Sequence, residues 1–252
     1  MVRPVPPQVI PRPADWRLGA ASPWAHLPPV ALRGITVDRV LGALEASGQR
    51  GPAPEGIGAE RVIGPAVPIN EADTHGPHTV NAAVLALLFE ETGEARLVFT
   101  RRSSSLRSHR GEVSFPGGRL DRGEDAPGAA LREAYEEVAL DPALVTVEGW
   151  IHPVLTVVTG SLIMPIVAST PSRPLLVASP AEVERVFDVA LRELADPANF
   201  HEEHWRIAGR QIPGSRDNSF AVWFFEVAGE MIWGATARMI HELLSVVLLP
   251  VS

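Results

Sequence analysis

The stretch from Gly118 to Leu140, GRLDRGEDAPGAALREAYEEVAL, holds the residues best suited to chemistry. On a helix from Asp125 to Val138 turning about 100° per residue, Glu133, Glu136 and Glu137 fall within about 100° of one another. Leu131, Ala134, Tyr135 and Val138 fall on the other side and are expected to pack inward. Like charges at i,i+3 and i,i+4 cost roughly 0.2–0.5 kcal/mol per pair unless a cation offsets them, and only Arg132 is local. Two readings follow from the residues. One is a solvated acidic face, which spacing alone favours. The other is a seat for a hard divalent ion, Mg²⁺ or Mn²⁺, which suits clustered carboxylate oxygens and keeps water in its remaining positions.

Just before it, residues 97–118 read LVFTRRSSSLRSHRGEVSFPGG. Arg101, Arg102, Arg107 and Arg110 crowd together, with His109 among them. The planar guanidinium fork suits phosphate oxygens, and Ser103 to Ser105 offer hydroxyl donors. A basic surface loop pairing with the acidic helix explains the same residues equally well.

The pattern of Gly118, Glu124, Arg132, Glu133, Glu136 and Glu137, closed by Leu140, resembles the Nudix box at the family spacing. The resemblance implies an α/β/α sandwich around a mixed sheet and hydrolysis of a nucleoside diphosphate linked to another group. It implies Mg²⁺ or Mn²⁺ held by Glu133 and Glu137, with Glu136 as a further ligand. Glu124 and Arg132 would brace the box. The ion neutralises the pyrophosphate and activates a water, and a carboxylate takes the proton. Which glutamate serves as base is left open. Ala139 departs from the family glycine. Alanine in a left-handed helix end costs about 1 kcal/mol, so the helix either bears that strain or runs on to Asp141–Pro142.

Thr100, Arg101, Ser103, Arg107, Gly111 and Phe115-Pro116-Gly117-Gly118 resemble the motif that precedes the box in the coenzyme A pyrophosphatase subgroup. The segment IWGATARMIHELL, from Ile232, is similar to that subgroup's C-terminal part. This implies a small-molecule substrate, coenzyme A or acyl-coenzyme A, split into adenosine 3′,5′-bisphosphate and (acyl-)4′-phosphopantetheine. Arg101, Arg107 and Ser103 would hold its phosphates, and the Gly117–Gly118 backbone would let substrate and metal come close. The alternatives are a Nudix pyrophosphatase for ADP-ribose or another dinucleotide, and a non-catalytic nucleotide-sensing module.

Other polar residues carry less. His75, His78, His152, His201, His204 and His241 show no zinc-like cluster. Trp205, Trp223, Phe224, Phe225 and Trp233 read as core rather than as an adenine platform. Glu182, Glu184, Glu202 and Glu203 could each supply a ligand or base from outside the box, but each alone reads as a solvated residue.

The elements that must position these groups are strands at Thr79–Phe89, Leu97–Thr100, Val145–Val157, Leu162–Ser169 and Ala221–Val227. Glu90–Glu94 reads as a turn with Gly93 at positive φ. Helices are expected at Asp125–Leu140 and Ala235–Leu249, and Ala181–Leu194 has helical or mixed spacing. Without a regular βα repeat, this is an α/β chain with a mixed sheet and helices on its faces. Residues 1–60 are read as a Pro-rich N-terminal extension, an extended arm followed by one helix capped by Thr36, with Val37, Val40, Leu41 and Leu44 on one face. Residues 61–252 are read as the main domain.

The net charge of −8 and the absence of cysteine bound the rest. An acidic chain disfavours nucleic acid as a partner, and no cysteine means no disulfide or thiolate chemistry. No apolar stretch approaches a membrane span and no signal peptide is evident. A cytoplasmic protein is expected, with a homodimer left open.

Overall fold

The computed structural model describes residues 8, 10–54, 80–104, 106, 110–156, 161–207, 209, 212 and 215–249. Along them run strands β1 (Arg17–Leu18), β2 (Ala82–Glu91), β3 (Glu94–Arg102), β4 (Val113–Ser114), β5 (Gly117–Arg119), β6 (Thr146–Trp150), β7 (Val154–Leu155), β8 (Leu162–Ser169), β9 (Val183–Ala190), β10 (Phe200–Trp205), β11 (Phe220–Val227) and β12 (Glu230–Trp233). Helices α1 (Val37–Ala46), α2 (Ala126–Val138), α3 (Leu191–Ala195) and α4 (Gly234–Leu248) are set among them.

The hairpin β2–β3 is the centre of the larger sheet. Its strands bury mainly Ala, Leu and Phe, and Thr92 and Gly93 close the turn with φ of 53° and 75°. Two consecutive positive φ values match the twist that a two-residue hairpin connection requires. The sheet runs β4-β3-β2-β8-β6, with β9 paired to β3, β5 to β2 and β7 to β8. The β2–β8 pair is parallel while β2–β3 and β3–β9 are antiparallel, so the sheet is mixed. A smaller antiparallel sheet runs β1-β10-β11-β12.

Both faces of the larger sheet are covered. Alternate residues of β2 divide between them: Leu85, Leu87 and Phe89 pack under α2 with Ala130, Ala134 and Val138. Ala86 and Leu88 face the other layer, where Ile240, Leu243 and Leu244 of α4 join Val40 and Leu44 of α1. The strand period of two and the helix period of 3.6 are both satisfied by this three-layer arrangement, an α/β/α sandwich around a mixed sheet.

The N-terminal segment departs from the expected arm. Trp24 and Ile35 are fully buried. The indole N–H of Trp24 donates to the Ala195 carbonyl at 2.8 Å, and its ring meets Phe200 edge-on. Few apolar residues are needed here because these are large, and proline-rich coil has fewer backbone donors to satisfy. Helix α1 starts at the expected cap, with the Thr36 side chain accepting from the Arg39 amide. The boundary expected at 60/61 falls outside the described residues.

Three further expectations change. Ala181–Leu194 is mostly strand β9, in which Phe187 and Val189 alternate inward, followed by the short α3. Tyr135 is exposed, and its expected inward place on α2 is taken by Glu137. Glu203 is not a solvated residue: β10 turns it inward, where Arg12, the Trp205 indole and His201 all bond its carboxylate.

Candidate active site

Strand β5 and helix α2 build the site. Gly117 and Gly118 pair with Val84 and Ala83 of β2 directly beneath the helix. Gly117 has φ of 154°, and a Cβ there would overlap the β2 backbone. A Cβ on Gly118 would overlap the Glu133 carboxylate. Close approach of the neighbouring strand therefore requires glycine at 117, while a side chain at 118 would push the Glu133 carboxylate off the main chain.

Asp125 caps α2, its side chain accepting from the Gly128 amide at 2.8 Å. At the other end the helix stops at Val138, and Ala139 adopts the left-handed conformation with φ 54° and ψ 31°. It does not run on to Asp141–Pro142. The Leu140 amide returns to the Ala134 carbonyl, so the chain leaves the helix as it would with glycine, at the cost of strain on an alanine.

Arg132 organises the exposed edge. It grips Glu124 with two bonds of 3.0 Å, reaches Glu133 at 3.0 Å and Glu136 at 3.2 Å, and donates to the Arg119 carbonyl at 2.9 Å. The guanidinium holds the Glu124 carboxyl below the ordinary carboxylate range, and the carboxylates raise the affinity of Arg132 for its proton. This fork clamps the loop before α2 to the helix.

Glu137 differs from its neighbours. It is buried, accepts the Gly117 amide at 3.2 Å and lies 3.5 Å from Arg102. Burial pushes its carboxyl up to about 7; the Gly117 N–H and Arg102 pull against this, while Glu133 and Glu182 push it further. An anion so destabilised gains from a cation beside it. Among the described residues no three His, Cys, Asp or Glu side chains are gathered into a metal cage, because Arg132 holds Glu133 and Glu136. Mg²⁺ needs no such cage: it takes one or two carboxylates, substrate phosphates and several waters. The oxygen-only donors Glu133 and Glu137, over a glycine pair that leaves room, fit such an ion.

The arginine segment divides. Arg101, expected to face substrate phosphate, is buried and donates to Glu230 at 2.5 Å. Arg102 is the arginine that reaches the carboxylates. Side chains alternate along a strand, and the pairing of β3 with β9 shifts register between these two residues, re-aiming them. The Arg102 Nε is buried with no hydrogen-bond acceptor among the described residues. Ser103 is buried, and its amide donates to the Glu182 carbonyl at 2.8 Å. Arg107 and His109 lie outside the described residues.

Glu182 arrives from far along the chain. The Val177 and Ser179 amides donate to the carbonyls of Val138 and Glu137, stitching this segment to the end of α2. Sequence reasoning had no periodic signal for that contact, which depends on an irregular segment.

A family model described as NUDIX domain matches residues 79–210. A protein of Photorhabdus laumondii with the name "Uncharacterized Nudix hydrolase NudL" is 38% identical over 148 residues, 58% of this chain and 74% of that protein. One of the same name from Citrobacter koseri is 37% identical over 169 residues, 66% of this chain and 83% of that protein. Among solved structures, a Nudix hydrolase from M. smegmatis, RenU, superposes with a TM-score of 0.40 and 22% identity over 46% of this chain and 74% of that one.

Proposed function

Given that the chain belongs to the Nudix hydrolase family, whose members hydrolyse nucleoside diphosphates linked to another group, we propose that its substrate is coenzyme A or acyl-coenzyme A. The reaction cleaves the pyrophosphate with water to give adenosine 3′,5′-bisphosphate and (acyl-)4′-phosphopantetheine. The observation that carries the hydrolytic reading is the cluster of Glu137, Gly117 and Arg102: a buried carboxylate of raised proton affinity beside a guanidinium whose Nε–H has no acceptor among the described residues. The choice of coenzyme A rests on the motif from Thr100 to Gly118.

In this reading Glu133 and Glu137 would hold Mg²⁺ or Mn²⁺, with Glu136 as a further ligand. Bound there, a divalent ion neutralises the pyrophosphate and makes an attacking water more acidic. Arg102 orients a phosphoryl oxygen through its free Nε–H, and Arg107 and Ser103 extend the phosphate contacts. Arg132 and Glu124 keep Glu133 directed over Gly118. A carboxylate accepts the proton of the attacking water, and Glu182 stands near enough to Glu137 to raise its proton affinity from outside the helix.

A substrate panel with Mg²⁺ or Mn²⁺ tests this: coenzyme A, acetyl-coenzyme A, ADP-ribose, NADH and nucleoside triphosphates. Coenzyme A or its thioester should give the highest kcat/KM with the two products named. A higher kcat/KM for ADP-ribose or NADH replaces the substrate assignment. No turnover of any compound by folded, metal-loaded protein makes the chain a non-catalytic module.

A further inference from the structure

We propose that Arg101 and Glu230 are a positioning pair that sets the active-site loop from outside the site. The idea rests on reading the cluster around Gly117, Arg102 and Glu137 as the active site, and is independent of the substrate assigned to it.

The pair is unusually enclosed, with side-chain exposures of 6% for Arg101 and 4% for Glu230. Arg101 Nη1 donates to one oxygen of Glu230 at 2.5 Å, and Arg185 Nη1 donates to the other at 2.9 Å. Arg101 Nε also lies 3.5 Å from Glu184. Glu230 opens β12 in the smaller sheet, while Arg101 and Arg185 stand opposite each other on β3 and β9 of the larger one. One carboxylate thus fastens the two sheets together at the strand that carries Arg102.

The same guanidinium supports the loop. Gly111 returns the arginine segment to β3, with φ of 68° and its amide on the Arg102 carbonyl at 3.1 Å. A Cβ at Gly111 would lie 3.3 Å from Arg101 Nη2, so the loop closes directly on that group. Val113 then pairs with Arg101, Ser114 pairs with Thr100, and the Pro116 carbonyl accepts from Leu85 immediately before Gly117. Arg101 therefore fixes the start of β4, four residues ahead of the glycine whose amide meets Glu137. Its fixed direction also leaves the other direction to Arg102. Glu230→Gln leaves the arginines uncompensated in a buried place, Arg101→Lys keeps the charge but loses the fork that meets Glu230 and Gly111 together, and the nearest backbone able to yield is residues 110–116.

The test uses Glu230→Gln and Arg101→Lys in the full chain. Glu148→Gln is the control, because it breaks another ion pair of a buried carboxylate, Arg50–Glu148 at 2.9 Å, on a different strand. Native-state amide exchange is followed by peptide, together with kcat/KM on the best diphosphate substrate and the Mg²⁺ concentration for half-activation. Glu230→Gln and Arg101→Lys should speed exchange across residues 103–118 by about tenfold or more while α2 and α4 keep wild-type protection. They should lower kcat/KM by about tenfold and raise the Mg²⁺ requirement. Glu148→Gln should lower the melting temperature without either effect. Unchanged exchange across 103–118 in both variants overturns the proposal, as does an equal effect from Glu148→Gln. Should Glu230→Gln not fold, Arg101→Lys alone decides by the same readouts. If the wild type cleaves no diphosphate, the exchange result still judges the pair, and the failure belongs to the assigned activity.

Discussion

Arg101 and Arg102, consecutive on β3, send their guanidinium groups to different carboxylates: Arg101 to Glu230 at 2.5 Å, Arg102 to within 3.5 Å of Glu137. Only the second stands beside the buried carboxylate at which the proposed reading puts substrate phosphates. A charge-assisted bond to phosphate contributes about 1.5–3 kcal/mol. Arg102→Ala should therefore lower kcat/KM by roughly tenfold to a hundredfold. The same change removes a charge that holds the Glu137 proton affinity down, so the acid limb of the pH–rate profile should move to higher pH. Steady-state kinetics from pH 5.5 to 9 reads both, and an unmoved profile with unchanged kcat/KM would remove Arg102 from the site.

Glu137 makes metal-free stability depend on pH in a distinctive direction. Burial raises its carboxyl from the ordinary carboxylate range to about 7. A carboxyl raised in the folded state binds its proton more tightly there than in the unfolded chain. Its contribution is complete below the unfolded value and is lost as pH rises through about 7. The loss amounts to roughly 3 kcal/mol as an upper bound. Glu137→Gln lacks this loss, so without metal it should be more stable than wild type at pH 8 and nearly equal at pH 4.5. It should also lose most turnover and most of the Mg²⁺-induced rise in melting temperature. Urea unfolding with chelator at the two pH values checks the sign.

Ala139 bears a conformation that glycine adopts freely. Ala139→Gly should raise stability by about 1 kcal/mol, reduced by the greater freedom of glycine in the unfolded chain. Activity should stay within about twofold, since the helix already ends where the box requires. Thermal unfolding in parallel with kinetics measures both.

The glutamates of α2 and the glycines of β5 were legible because their chemistry is local: spacing on one helix and one turn fixes their relation. The β2–β3 hairpin and the strand Leu162–Ser169 were legible for the same reason, since apolar alternation and Gly93 are local signals. Arg102 was not separable from Arg101, because which of two neighbouring side chains faces the site depends on a register shift against β9, eighty residues away in the chain. Glu182 was one of four glutamates outside the box that could serve and could not be told from the others, and Glu230 was not singled out, for the same cause. Their partners come from other strands, and a lone glutamate carries no sign of what will stand opposite it. Strand β10 was missed because His201 to His204 are all polar, and the two carboxylates among them are satisfied only by groups from the N-terminal segment, β11 and their own strand.

That N-terminal segment supplies the last expectation. The proline-rich composition suggests that residues 1–35 are dispensable for chemistry, and the packing adds that they contribute to stability. Trp24 is fully buried against Phe200 and His241 and bonds the Ala195 carbonyl, and Ile35 sits in the core that α4 shares with β2. Arg12 places its guanidinium against the buried Glu203 carboxylate. Trp24→Ala should destabilise by roughly 3–5 kcal/mol, the range for emptying a large aromatic site. Starting the chain near Thr36 should cost more, because it also uncovers Glu203 and the outer face of β10 and β11. None of these residues touches Glu133 or Glu137, so Trp24→Ala assayed well below its melting temperature should keep near-normal kcat. A truncated chain that unfolds with the wild-type midpoint would show that the segment only rests on the core, and a folded Trp24→Ala protein without turnover would place the segment in the active site itself.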